Sequence, residues 1–367
     1  MKIFLASVLK PLNDTRMYEK IGLSLSKSYE IHLMGYPAEL PVRKGVYGYP
    51  LLDFAQGSRK RWQVGSFLLA KLKQVKPDVL VIHAVELLPV ALYYRMFHKV
   101  RLIYDVQENY YRNFLYQSIY PKGIKHLMAW AVRGLETLSR NWVDYYWLAE
   151  RCYAREFTFG KGKQLILENK SVLERQGPHL KSNSLSPPLR FVFTGTISTV
   201  YGAWEAVNLV KKLVDCGLSA ELLMIGKVVE IPLEKELQKL EKAFSWFRLE
   251  GGSRLVPHTR ILEALEEADV ALLSYQPNKS TAQCIPTKLY ECIAYRLPMI
   301  IPQNPLWEKI CEEYTAALAI DFVNYNPKVL IEELLTKKFY NRGNFAKVLW
   351  KEEEHKLLRM MEPLVNQ

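Results

Sequence analysis

The sequence predicts an α/β protein made of two open parallel sheets, each covered by helices. Three observations predict it. Short apolar runs alternate with amphipathic stretches along both halves of the 367 residues, the pattern of parallel strands joined by crossover helices. The alternation stops at Pro178–Arg190 (PHLKSNSLSPPLR), which is rich in Ser, Pro and Asn and has no periodicity. It then restarts. The chain therefore divides into a first domain (1–177), a linker (178–190), a second domain (191–344) and a final helical segment (345–367).

Each element has its own signal. Lys2–Val8 is an apolar strand, Arg16–Lys27 carries Met17, Ile21 and Leu25 at helical spacing, and Tyr29–Gly35 is the next strand. Phe67–Val75 reads as a helix closed by Lys76-Pro77, because proline cannot continue a helix. Val79–His83 is a strand, Leu87–Phe97 a helix and Arg101–Val106 a strand. A long aromatic and basic helix spans Ile124 to Arg140, and Trp142–Leu148 and Gln164–Leu167 are the last strands of this half. In the second half Phe191–Thr194 is a strand, Ala203–Cys216 a helix and Glu221–Ile225 a strand. Helices Pro232–Phe244 and Thr259–Ala268 follow, then the strand Val270–Ser274. Pro286 opens a helix at its first position, where a missing N–H costs nothing, and Leu297–Pro302 is a buried strand. Phe345–Leu364 sets Trp350, Leu357, Leu358 and Met361 at helical spacing.

Composition narrows the class. An apolar fraction of 49% and a charged fraction of 24% suit a soluble globular enzyme. No run of apolar residues is long enough for a transmembrane helix. The first apolar run is broken by Lys10-Pro11, too early for a secretory signal. Five cysteines, an odd number without a C-x-x-C pair, point to reduced thiols in the cytoplasm and no zinc site. The net charge of +12 is lopsided: residues 1–180 hold 27 basic and 15 acidic side chains, the remainder 23 of each. A basic first half suits an anionic surface such as phospholipid, or simply a solvated face. Arg112–Trp142 mixes Phe114, Tyr116, Tyr120, Trp130 and Trp142 with Arg112, Lys122, Lys125, Arg133 and Arg140. That mixture suits a helix lying in a membrane interface, or a core helix with a basic outer face. Without a nucleic-acid-binding motif, nucleic acid is not an expected partner.

The stretch Pro286–Pro302 (PTKLYECIAYRLPMIIP) carries the most chemistry. A helix start offers unpaired N–H groups and partial positive charge, which suit a diphosphate. Glu291, acceptor-only when ionised, suits the paired hydroxyls of a ribose. Diphosphate and ribose together describe one end of a nucleotide-sugar. This stretch resembles the donor motif of the retaining GT-B glycosyltransferases of family 4. Their usual signature is a pair of glutamates with seven residues between them. Here the second is Glu291 and the first position is Gln283. The resemblance implies a GT-B architecture: two Rossmann-like domains facing across a cleft, with the last helix returning to the N-terminal domain. It implies donor contacts from Gly195, Thr196, Lys227, Gln283, Thr287, Lys288 and Glu291, with a UDP- or GDP-sugar as donor substrate. No cofactor or metal is expected, since no D-x-D motif or His/Cys cluster is present. The lysine of the family's Lys-Gly pair is replaced in Tyr201-Gly202.

On the acceptor side His83 ends one strand, and Tyr104-Asp105-Val106-Gln107-Glu108 resembles a family segment with Gln107 in place of histidine. His83, Asp105 and Glu108 are the candidate catalytic residues. Asp14 and Arg16 either fix the first loop or touch the acceptor, and Asp14 also suits a helix N-cap. The implied reaction is metal-independent transfer with retention, onto a lipid-linked or polysaccharide acceptor. It would occur in the cytoplasm or peripherally at the inner membrane face, with the departing phosphate helping to deprotonate the acceptor and no covalent nucleophile. A non-catalytic binding subunit of the same fold and a nucleotide-sugar epimerase are the alternatives.

Overall fold

The computed structural model describes residues 1–51, 63–116, 122–172, 185–278 and 281–365. The chain forms two compact units. The first comprises Met1–Val172, Lys279–Cys284 and Trp350–Gln367; the second comprises Leu173–Asn278 and Ile285–Leu349.

In the first unit the strands are β1 (Lys2–Pro11), β2 (Glu30–Tyr36), β3 (Val46–Pro50), β4 (Val79–Ile82), β5 (Arg101–Val106), β6 (Tyr145–Leu148) and β7 (Gln164–Ile166). They pair in parallel in the order β3-β2-β1-β4-β5-β6-β7. Successive side chains of a strand point to opposite faces, so Phe4, Ala6 and Val8 enter one core layer and Ile3 and Leu5 the other. The helices are α1 (Leu23–Leu25), α2 (Val64–Val75), α3 (Leu88–Phe97), α4 (Tyr110–Tyr116), α5 (Lys122–Ser139) and α6 (Tyr153–Glu156). Leu68 and Leu72 of α2 and Leu88 and Ala91 of α3 fill the first layer. The C-terminal helix Trp350–Val365 closes the second layer with Trp350, Leu357 and Met361. Trp350 is tied there by its indole N–H, which donates to Ser24 Oγ at 2.9 Å, and Lys170 pairs with the buried Glu353 at 2.7 Å.

The second unit has β8 (Leu189–Ile197), β9 (Ala220–Val228), β10 (Phe247–Gly252), β11 (Val270–Leu272), β12 (Met299–Pro302) and β13 (Ala317–Ile320). Their parallel order is β10-β9-β8-β11-β12-β13. Helices α7 (Ala203–Asp215), α8 (Ile231–Ala243), α9 (His258–Glu267), α10 (Thr287–Ala294), α11 (Pro305–Glu312) and α12 (Pro327–Thr336) cover it.

Several boundaries differ from the sequence reading. The expected linker 178–190 overlaps β8, which starts at Leu189, and its residues 178–184 lie outside the described residues, as does Tyr120. The turn Phe345–Val348 belongs to the second unit, so the C-terminal helix starts at Trp350. Pro286 is the N-cap of α10 rather than its first residue: its ψ of 141° keeps it outside the helix. Thr15–Gly22 is π-helical, and Asp14 caps it by accepting from the N–H groups of Arg16 and Met17. Unforeseen strands are β3, β10 and β13.

Candidate functional site

In an open α/β sheet, ligands bind beyond the carboxyl ends of the strands, where the strand order reverses. That point lies between β1 and β4 in the first unit and between β8 and β11 in the second. A cavity of about 720 Å³ lined by Met1, Asp78, Arg95, His98 and Arg101 opens at the other end of the first sheet, beside the starts of β1, β4 and β5, so we do not place the site there.

At the first switch point the loops after β1, β4 and β5 meet in one buried network. Arg16 donates from Nε and Nη2 to both carboxylate oxygens of Asp105 at 2.6–3.2 Å, and from Nη1 to the Leu167 carbonyl and Asn169 Oδ1 at 2.7 and 2.8 Å. His83 Nδ1 lies 2.8 Å from Asp105 Oδ2, and Gln107 Nε2 donates to the same oxygen at 3.1 Å. Burial alone would raise the Asp105 pKa, but the Arg16 charge, and then the His83 bond, hold the carboxyl well below its usual range. The ionised carboxylate accepts a hydrogen bond from Nδ1, which leaves Nε2 as the other polar atom of the ring. That Nε2 is buried and has no hydrogen-bond partner among the described residues. A buried polar atom of this kind is costly unless a ligand satisfies it.

Two of the three candidate catalytic residues, His83 and Asp105, are therefore in contact, and Glu108 is not part of their network. It is exposed and accepts from Asn113 Nδ2 at 2.8 Å. Arg16, whose role the sequence left open, is the centre of the network.

At the second switch point the strand ends form a glycine row. Gly195, Gly226 and Gly251 stand in register on β8, β9 and β10, all with positive φ. A Cβ on Gly226 would lie 1.7 Å from the Gly195 carbonyl oxygen. Only glycine lets the three strand ends approach this closely and leaves bare backbone facing out. Lys288, from the first turn of α10, lies over this floor. Its Nζ donates to the Thr194 carbonyl and sits 5.3 Å from the Phe193 ring centre and 5.7 Å from that of Tyr275. Burial pushes its ammonium down to about 8, against the opposing pull of Glu291. Glu291 is 8% exposed, with Oε1 3.3 Å from Nε2 of His258 at the start of α9.

Thr287 is the first residue of α10, whose N-terminus has no side-chain cap. Thr196 and Lys227 are exposed and in register at the ends of β8 and β9. Gln283 is exposed and falls in the segment that clusters with the first unit. Sequence reasoning marked Gly226 as a strand-ending glycine but missed His258 and Gly251. The run Glu250-Gly251-Gly252 after an apolar stretch was the available signal for the latter.

No family model matches the chain, and no curated protein matches it. Solved structures do. Sucrose-phosphate synthase from Thermosynechococcus elongatus superposes with a TM-score of 0.65 at 13% identity, over 99% of this chain and 96% of the other. An α,α-trehalose-phosphate synthase (UDP-forming) from Burkholderia xenovorans gives 0.64 at 11% identity, over 98% and 99%. WaaG, a glycosyltransferase involved in lipopolysaccharide biosynthesis, gives 0.64 at 11% identity, over 99% and 96%. Two parallel α/β sheets, the strand orders and this end-to-end likeness lead to one conclusion: the chain has the GT-B fold of these glycosyltransferases.

Proposed function

We propose that the protein is a retaining, metal-independent glycosyltransferase that moves a sugar from a UDP- or GDP-sugar to a lipid-linked or polysaccharide acceptor. The observation that carries this reading is the second switch point, where a cation, an open helix start and a nearly buried carboxylate meet over a floor of bare backbone. Lys288 and the first N–H groups of α10 neutralise the donor diphosphate, so the leaving group gains charge against fixed donors. Glu291, steadied by His258, accepts from the two ribose hydroxyls. In the first unit Arg16 and Asp105 fix the His83 ring, whose Nε2 accepts from a hydroxyl of the acceptor. Orientation of this kind, rather than a covalent nucleophile, is what these residues supply. The acceptor class rests on the family resemblance and on the basic first half.

The test is calorimetric titration with UDP, GDP and their sugars. One nucleotide should bind, and Glu291→Ala should weaken it roughly tenfold, the loss of a charge-assisted hydrogen-bond pair. If no nucleotide binds, a non-catalytic binding subunit becomes the better reading. If Glu291→Ala leaves affinity unchanged, the ribose assignment is wrong.

A further inference from the structure

We propose that Cys152 and Cys284 are an oxidative modification site, a thiol pair that closes into a reversible intramolecular disulfide and ties the segment before α10 to α6. Cys152 is the N-cap of α6, and Cys284 ends the piece Lys279–Cys284 that the first unit takes from the far half of the chain. Both side chains pack against the first core layer of that unit, and both are partly exposed. Cys284 Sγ lies 3.8 Å from the hydroxyl of Tyr153, the residue next to Cys152. The two thiols are hydrogen-bonded to each other. Of the other cysteines, Cys292 and Cys311 are buried out of reach of a dissolved oxidant, and Cys216 stands exposed at the C-cap of α7 in the second unit.

The surroundings sort the two sulfurs into roles. The hydrogen bond from Cys152 holds the Cys284 thiol below its usual pKa, against the effect of burial, and Tyr153 and Arg112 of α4 pull the same way. The same bond, and then burial, push Cys152 up. The thiolate is the reacting form, so Cys284 reacts first. The oxidant is a small disulfide such as oxidised glutathione. The Cys284 thiolate attacks one of its sulfurs and expels the other as a thiolate. Cys152 gives its proton to that released thiolate, attacks the Cys284 sulfur of the mixed disulfide and expels the second small thiol. The two cysteines have then lost two electrons and two protons, and the small disulfide has become two thiols. Because the sulfurs already meet, α10 keeps its place. What the bridge removes is the freedom of the chain just before Pro286, the N-cap of the helix that carries Lys288 and Glu291.

The inference goes beyond the donor reading and stands independently of it. Full-length protein carrying Cys216→Ser, which leaves four thiols, is reduced and then equilibrated with oxidised and reduced glutathione. It is alkylated, digested and analysed by mass spectrometry. Two thiols should disappear together, with the Cys152 peptide joined to the Cys284 peptide and no glutathione retained, and dithiothreitol should restore both. In the same background Cys152→Ser should stop at a glutathione adduct on Cys284, and Cys284→Ser should react at least roughly tenfold more slowly at Cys152. Hydrogen exchange at residues 281–285 should slow in the oxidised protein by about tenfold or more, since the local opening that exposes these amides is restrained. The proposal is overturned if no bridge forms, if it joins two chains or uses Cys292 or Cys311, or if it forms no faster in the native protein than in the urea-unfolded chain. Unchanged exchange at 281–285 would overturn the tether. Nucleotide titration of the same samples judges the donor site separately.

Discussion

Lys288 is the residue on which most of the proposed donor chemistry converges. Its ammonium is desolvated over two aromatic rings and a carbonyl, which brings its pKa to about 8. A lowered lysine pKa means that the folded state releases a proton that the unfolded chain, near the ordinary lysine value of 10.5, still holds. This group thus makes the fold more stable as pH rises from about 8 to 10.5, whereas it makes diphosphate binding weaker over the same range, because the charge is gone. Nucleotide affinity should fall above pH 8 in the wild type, and in Lys288→Met should be weaker but flat across that range. Titrations at successive pH values check it, and a parallel decline in both proteins would remove Lys288 from the site. Residues of this kind were legible in the sequence when motif and neighbour lay close together, as with Lys288 and Glu291 on one short helix. His258 was not legible, because its partner is 33 positions away. The Arg16–Asp105 pair spans 89 positions, and nothing local to either residue announces it.

Elements were read best where the hydrophobic period was clean. β1, β4 and β5 are continuous apolar runs and were found within a few residues. β3 (VYGYP) sits at the sheet edge with an exposed and half-buried pattern, so it has no apolar run to see. β10 ends in two glycines, which weaken the strand signal. The first of them, Gly251, belongs to the row at the strand ends, so the element hardest to read contributes to that row. Gly226→Ala tests that row. Its backbone is at φ +146°, and the added methyl group would meet the Gly195 carbonyl oxygen. The variant should lose roughly 2–4 kcal/mol of stability through backbone strain and displaced strands and bind nucleotide poorly. Gly134→Ala, in helix α5 with no positive φ and open space around its Cβ position, is the control. Denaturant unfolding of both variants measures the difference.

At the scale of the molecule, the alternation of strands and helices was enough for two sheets, but not for the path of the chain between them. The first unit takes its last helix from residues 350 onward and a short piece from 279–284. Local pattern carries no record of such long-range returns. Trp350 is the measure of how much that returning helix matters: it is 5% exposed and packs beside Met17, Ile21 and Trp147 in one core layer. Trp350→Ala should cost roughly 3–5 kcal/mol. Hydrogen exchange should show the loss chiefly in β1, β2 and the Thr15–Gly22 segment, and little in β8–β13. Uniform loss across both units would contradict it.

The discontinuous first unit has a consequence for biosynthesis. Its opening 172 residues leave the ribosome early, yet one layer of their interior stays uncovered until the final helix has been translated. The second unit, interrupted only by residues 279–284, can mature while its predecessor waits. A nascent chain arrested before residue 350 would therefore display bare apolar sheet, and chaperone dependence in the cell should concentrate on that interval.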